Sequence, residues 1–247
     1  MKGPFNTLVI LGESTVQGGG WIADDNERYA DILTHLLETA QEKPLKYINA
    51  GIGASVISPT SPGYDASAKP SAMERLDKQV IITAPDLLVI AYGLNDMRAG
   101  MTIEDFKTEM IKLITIVRQK INPVIVLVNV YYMTAYDNFP PFNCGSREAT
   151  IAYNQMLADL ANEQGCLYAD VYSALKDCNH VINQDTVHAN KIGNMLIANR
   201  IFETIIRNCT GIATNVRERD EHSSWTELIK PMLNTCREPS DTARPGK

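Results

Sequence analysis

Five short apolar runs, rich in β-branched residues, punctuate the chain: Thr7–Leu11, Leu45–Ala50, Asp86–Tyr92, Val124–Val130 and Cys166–Val171. Val124–Val128 is apolar at every position, so the strand it predicts must be covered on both faces, as in a parallel sheet between helices. The segments between the runs carry apolar residues at helical spacing. Thr102–Ile121 places Phe106, Met110, Leu113, Ile114, Val117 and Ile121 on one face, and Thr102 with Asp105 predicts a capping-box start. Glu27–Ala40 groups Ile32, Leu33, Leu36 and Leu37, while Ser146–Gln164 stops at Gly165. Lys191–Arg207 is expected to turn Ile192, Leu196, Ile201 and Ile205 inward. Strands alternating with helices over short connections predict an α/β fold, a three-layer α/β/α sandwich around a five-stranded parallel sheet.

Two connections are long. Ile52–Ser71 is rich in Gly, Ser and Pro, and Tyr131–Gly145 gathers Tyr131, Tyr132, Tyr136, Phe139 and Phe142 around Pro140–Pro141. Long loops in such folds usually serve function, and both would border the C-terminal ends of the strands. The aromatic loop reads equally well as a pocket wall, with Tyr131 and Tyr132 as substrate contacts, or as a satellite cluster packing on itself. From Asn215 the pattern changes. Val216–His222 is charged, Ser224–Leu233 predicts a short amphipathic helix, and Arg237–Lys247 is polar and reads as disordered. The expected division is a main domain over 1–212 and a charged appendage over 213–247.

Composition narrows the partners. The chain carries 29 acids against 23 bases, a net charge of −6, with no basic cluster to hold phosphates, which disfavours nucleic acid. No apolar run approaches the ~20 residues that span a bilayer, so membrane insertion is not expected. Thr7–Leu11, as a core strand, leaves no room for a signal peptide. The five cysteines, Cys144, Cys166, Cys178, Cys209 and Cys236, are odd in number and lack CxxC or zinc-type spacing. They read as reduced thiols of a cytoplasmic protein, with room for one disulfide.

Parallel α/β sheets bind ligands beyond the C-terminal ends of their strands. There the chain sets Gly12-Glu13-Ser14 after the first run and Asn49-Ala50-Gly51-Ile52-Gly53 after the second. Tyr92-Gly93-Leu94-Asn95-Asp96 follows the third, and Asp185-Thr186-Val187-His188 precedes the last helix. A hydroxyl, backbone N–H donors, a carboxamide and an imidazole beside a carboxylate are the groups that acyl transfer needs together. Each has a plainer reading when taken alone: Ser14 as a turn serine or helix cap, Asn95-Asp96 as a turn pair, Asp185 as a loop acid. Of the four histidines, His35 lies inside a predicted helix and His222 in the charged appendage. His180 rivals His188 but lacks a carboxylate three residues before it. Asp185, His188 and His180 form no coordination pattern for a metal. No G-x-S-x-G elbow occurs, which argues against the α/β-hydrolase arrangement.

In this order the four segments resemble the conserved blocks of the SGNH (GDSL-like) hydrolase family. Its G-D-S matches Gly12-Glu13-Ser14, its block-two glycine Gly51, its G-x-N-D Gly93-Leu94-Asn95-Asp96, and its D-x-x-H Asp185-Thr186-Val187-His188. The resemblance spans nearly the whole main domain and implies a flavodoxin-like strand order, 2-1-3-4-5. It also implies Ser14 as nucleophile, His188 as general base and Asp185 as the carboxylate that orients it. The oxyanion hole would combine the Ser14 N–H, the Gly51 N–H and the Asn95 side-chain amide, with no metal and no cofactor. Glu13 stands where the family has aspartate, a carboxylate on a longer arm that can still hydrogen-bond the turn behind Ser14. Ala189 stands where proline is frequent.

The expected activity is hydrolysis of short-chain carboxylic esters, with removal of acetyl groups from a carbohydrate as the leading substrate reading. Lysophospholipid or thioester cleavage, acyl transfer by the same triad, and a binding protein on a spent hydrolase fold are the alternatives. No insertion is long enough for a lid domain, so an open, shallow cleft is expected. Trp21 is a candidate substrate platform. Arg98 is a candidate for meeting a substrate carboxylate or phosphate, against a solvated or structural arginine. A triad histidine predicts an apparent pKa of about 6–7.5 in kcat/KM.

Overall fold

A computed structural model describes residues 2–235. The five apolar runs form β1 (Thr7–Gly12), β2 (Lys46–Gly51), β3 (Leu87–Ala91), β4 (Val124–Val128) and β5 (Leu167–Ala169), all parallel, in the order β2-β1-β3-β4-β5. The helices, in chain order, are α1 (Ser14–Gln17), α2 (Tyr29–Gln41), α3 (Tyr64–Ser67), α4 (Ala72–Leu76), α5 (Leu94–Arg98), α6 (Ile103–Lys120), α7 (Arg147–Glu163), α8 (Val171–Leu175), α9 (Lys191–Asn208), α10 (Thr214–Glu221) and α11 (Ser224–Thr235).

The topology follows from right-handed crossovers. β1 connects outward through α2 to β2, whereas β3, β4 and β5 step the other way through α6 and α7, so these helices cover opposite faces of the sheet. α9 packs on α2, and α6 packs on α7. Leu8, Val9, Ile10 and Leu11 of β1, and Leu87, Leu88 and Val89 of β3, are fully buried, as runs covered on both sides require. Gly12 pairs in register with Gly51, which sets the first two strand ends side by side.

Helix starts obey their capping residues. Thr102 Oγ1 accepts the Asp105 N–H at 3.1 Å, and the Asp105 carboxylate takes the Thr102 hydroxyl instead of its backbone N–H, so half of the capping box forms. Ser146 Oγ accepts the Ala149 N–H at 3.0 Å, and Gly165 ends the same segment in the left-handed region at φ 58°. One helical face is corrected. α9 turns Asn194, Ile197, Ala198, Ile201 and Ile205 inward, but Ile192 and Leu196 are exposed. At about 100° per residue these two lie on the far side of the helix from Ile201 and Ile205.

The charged segment after α9 packs back on the domain. Asn215 Nδ2 donates to Gln41 O at 3.0 Å, and Arg219 of α10 pairs with Glu42. α11 forms where an amphipathic helix is predicted and leaves Trp225, Leu228 and Leu233 exposed. The reading of Arg237–Lys247 as disordered falls outside the described residues, as does Cys236. The other four cysteines are free thiols. Among the described residues no helix is long and apolar enough to cross a membrane.

Candidate active site

β1 ends at Gly12, the chain turns at Glu13, and Ser14 opens α1 with its N–H beyond the reach of intrahelical bonding. The turn is tight because nothing larger than glycine fits around it. A Cβ at Gly12 would come within 2.3 Å of Val16 Cγ2, and one at Gly51 within 2.2 Å of Gln17 N. Asn49 ties β2 to this turn. Its amide donates to Val16 O at 2.8 Å while its carbonyl accepts the Gly51 N–H at 3.0 Å.

The fold brings Ser14 to His188, 174 residues away: Ser14 Oγ lies 2.9 Å from His188 Nε2. His188 Nδ1 is 2.7 Å from Asp185 Oδ2, and Asp185 Oδ1 accepts the N–H groups of Val187 at 3.0 Å and His188 at 2.9 Å. Burial pushes the Asp185 carboxyl up, but these hydrogen bonds outweigh it and hold the group below the usual carboxylate range. An ionised Asp185 takes the Nδ1–H, which turns the Nε2 lone pair toward the hydroxyl.

Trp21 stacks on the imidazole at 3.7 Å between ring centroids and 13° between planes. The glycine run before it permits this, because a Cβ at Gly19 would meet the indole at 2.4 Å. Asn183 Nδ2 holds the Trp21 carbonyl at 3.3 Å. Burial lowers the His188 pKa below its ordinary value of 6.5, with the Arg98 charge adding to the shift and Asp185 opposing it. The sign fixes a pH dependence. A general base at this position would work as neutral imidazole, and a depressed pKa keeps the ring neutral to lower pH. We therefore expect kcat/KM to rise with pH through an apparent pKa below 6.5, at the low edge of the sequence expectation or under it. A midpoint above 7 in a profile on 4-nitrophenyl acetate would contradict a buried base.

Glu13 fixes the turn that carries Asn95. Its longer arm reaches the N-terminus of α5, where Oε1 accepts the N–H groups of Gly93 at 3.0 Å and Leu94 at 3.1 Å, and Oε2 that of Asn95 at 3.1 Å. Burial, and then the Asp96 carboxyl nearby, push the Glu13 pKa up against these three donors. Burial also raises the Asp96 pKa to about 7, while Asp96 accepts the Ile57 N–H at 3.1 Å and so pins the Ile52–Ser71 loop to α5. Asn95 Nδ2 donates one hydrogen to Ser55 O at 3.0 Å, and the second has no partner among the described residues.

Ser14, Asn95 and His188 open into one pocket of about 360 Å³, which Trp21, Ala54 and Arg98 also line. Gly51 does not reach it. Its N–H is spent on Asn49, and its lack of a side chain serves the packing of α1. Ala54 lines the pocket instead, at φ 61°, with no hydrogen bond from its N–H among the described residues. A search for glycine by identity passes over it, and the only sequence signal is its position in the Gly-rich loop after β2.

Tyr131 and Tyr132 are also displaced from the expected role. Both are buried away from the pocket, Tyr132 donating to Asn179 Oδ1 at 2.6 Å and meeting Tyr172 edge-on. Phe139 and Phe142, from the same loop, line the pocket in their stead. The loop is thus part satellite cluster and part wall. His35, His180 and His222 are exposed and take no part. Among the described residues no group of three or more His, Cys, Asp or Glu is placed to hold a metal ion.

Residues 10–196 match the model of the GDSL-like lipase/acylhydrolase family. No curated protein sequence matches the chain. Among solved structures, the acetylxylan esterase Axe2 from Geobacillus stearothermophilus superposes with a TM-score of 0.62 at 19% identity, over 83% of this chain and 96% of its own. LAE5, an alpha/beta hydrolase enzyme from the metagenome of Lake Arreo in Spain, gives 0.61 at 18% identity, over 81% and 94%. Three Axe2 structures carry catalytic mutations, in a serine, in an aspartate, and in a histidine three residues after that aspartate.

Proposed function

Since the chain belongs to the GDSL-like lipase/acylhydrolase family and is a carboxylic ester hydrolase, we propose that Ser14 is its nucleophile. The observation that carries this is the unbroken relay from Ser14 Oγ through His188 to Asp185, at 2.9 and 2.7 Å. Oγ attacks the ester carbonyl while Nε2 takes its proton, giving a tetrahedral intermediate. The oxyanion meets the Ser14 N–H, the Ala54 N–H and the free amide hydrogen of Asn95. Imidazolium then returns the proton to the departing alcohol, and water repeats the sequence to release the acid. The spacing of Asp185 and His188 equals that of the two catalytic positions in Axe2, which supports the assignment.

The substrates are short acyl esters, with acetylated carbohydrate as the leading class. The pocket volume of about 360 Å³ and the acetylxylan esterase that shares the fold support this reading. A series of 4-nitrophenyl esters tests it. Each fully buried CH₂ adds about 0.8 kcal/mol, close to fourfold in kcat/KM, only while apolar wall remains to receive it. Acetyl to butyryl esters are expected to be best, and octanoyl and longer ones worse. A steady climb to C10 or C12 would turn Phe139 and Phe142 into the mouth of a lipid groove and make lysophospholipid the better reading.

A further inference from the structure

The proposed chemistry leaves one charged group in the pocket unused. Arg98 is 3% exposed and lines the same pocket as Ser14 and His188, yet no carboxylate among the described residues lies within 4.0 Å of it. Its Nε donates to Tyr136 O at 3.1 Å and its Nη2 to Asn138 O. Both carbonyls sit on one edge of the guanidinium. Among the described residues three of its five N–H groups, two on Nη1 and one on Nη2, have no partner.

The acids that act on this charge through space are occupied or solvated. Glu13 is held by three amides and Asp185 by His188, while Asp137 is exposed. A buried cation without a counter-ion is costly, and that cost falls when a ligand supplies the missing charge. Leu94 and Phe142 beside it exclude water and strengthen any such pairing. Holding the loop requires only the Nε edge. The other edge is a planar fork with the geometry of a carboxylate.

We propose that Arg98 is a specificity-determining residue and that the substrate is an ester bearing a carboxylate, in its acyl or its alcohol part, near the scissile bond. The proposal rests on the esterase reading and sharpens it, because the neutral acetyl series then measures only the basal activity of the pocket.

Two matched pairs of esters test it on the wild-type protein, after subtraction of spontaneous hydrolysis. 4-Acetoxybenzoate against its methyl ester places the charge in the alcohol part. Mono-4-nitrophenyl succinate against methyl 4-nitrophenyl succinate places it in the acyl part. At least one acid is expected to exceed its methyl ester by about tenfold or more in kcat/KM, the least that a charge-assisted hydrogen bond contributes. Which pair responds assigns the side. Arg98→Gln is expected to bring that ratio close to one, and Arg98→Lys to retain part of it, whatever either does to the absolute rate.

Equal rates for acid and methyl ester in both pairs overturn the proposal and leave the esterase reading standing. A preference that survives intact in Arg98→Gln also overturns it. Should Arg98→Gln fail to fold, the Arg98→Lys ratio decides: a ratio below that of the wild type supports the proposal, and an unchanged one overturns it. No turnover of any ester, with no labelling of Ser14 by a fluorophosphonate, overturns both readings together.

Discussion

Ser14→Ala is expected to lower kcat on 4-nitrophenyl acetate by on the order of 10⁶, the loss seen when a triad nucleophile is removed. The hydroxyl makes one hydrogen bond, to His188 Nε2, and Glu13 rather than Ser14 stands at the helix cap. Its removal therefore costs little stability, and the melting temperature should move by no more than roughly 4 °C. The proposed oxyanion donors survive in the variant, since neither the Ala54 N–H nor the Asn95 amide depends on the Ser14 hydroxyl. A small residual rate over water should persist for that reason. A fluorophosphonate should label the wild-type protein at Ser14 and leave the variant unlabelled. The nearest rival, Ser55, is fully buried, with its hydroxyl bonded to Pro70 O at 2.8 Å and to Tyr92 OH at 3.0 Å. Labelling at Ser55 would sink the assignment.

β1, β3 and β4 were readable as consecutive apolar residues, because strands covered on both faces demand them, whereas the edge strand β2 admits Lys46 and Asn49 among its apolar positions. The structure trims the runs at their ends and extends β1 and β2 by one residue each, to Gly12 and Gly51. Thr102 marked the start of α6 and Gly165 the end of α7, and the inward face of α6 was readable, whereas that of α9 was not. There Ile192 and Leu196 were grouped with Ile201 and Ile205, whereas the inward face includes the polar Asn194. That residue accepts the Tyr29 N–H at 2.9 Å and so caps α2, a role that hydrophobic periodicity cannot display. Helices of four or five residues, such as α1, α5 and α8, are too short for periodicity to reveal.

The site was legible where chemistry depends on side-chain identity and opaque where it depends on backbone direction. Ser14, Asn95, Asp185 and His188 carry functional groups that few other residues supply, so their order along the chain brought out the family resemblance that singles them out as candidates, and the fold brings Ser14, His188 and Asp185 together. An oxyanion N–H belongs to any residue. Gly51 drew attention by its type, yet its N–H points at Asn49, while Ala54 in the left-handed region faces the pocket. Loop return was equally hidden. The Tyr131–Gly145 segment folds back so that Phe139 and Phe142, not Tyr131 and Tyr132, line the pocket that Ser14 opens into. Arg98 accounts for this path: it takes the carbonyls of Tyr136 and Asn138, and its own carbonyl accepts the Cys144 N–H at 2.7 Å. Asn138 Nδ2 in turn donates to Thr186 Oγ1 at 2.9 Å, so the same loop braces the turn that carries Asp185 and His188.

Asp185→Asn is expected to lower kcat by about 10⁴, although it removes no atom from the relay. Two backbone N–H groups, from Val187 and His188, point at Oδ1 and require an acceptor there. The amide oxygen must take that position, which turns the new NH₂ toward His188 Nδ1. Two donors cannot face each other, so Nδ1 becomes the acceptor and the ring proton moves to Nε2. Imidazole then presents N–H to the Ser14 hydroxyl and has no lone pair with which to accept its proton. Asp185→Ala leaves the tautomer unconstrained, and a fraction of rings keep the productive form. The alanine variant should therefore be no worse than the asparagine variant, an inversion of what size and polarity alone dictate. The loss in both should lie in kcat, with KM changed little, because Asp185 makes no contact with substrate. The melting temperature should fall more for alanine, which strands the two backbone donors. Should Asp185→Asn keep a tenth or more of wild-type kcat, Asp185 is a loop acid that holds a turn, and the orientation of His188 has another source.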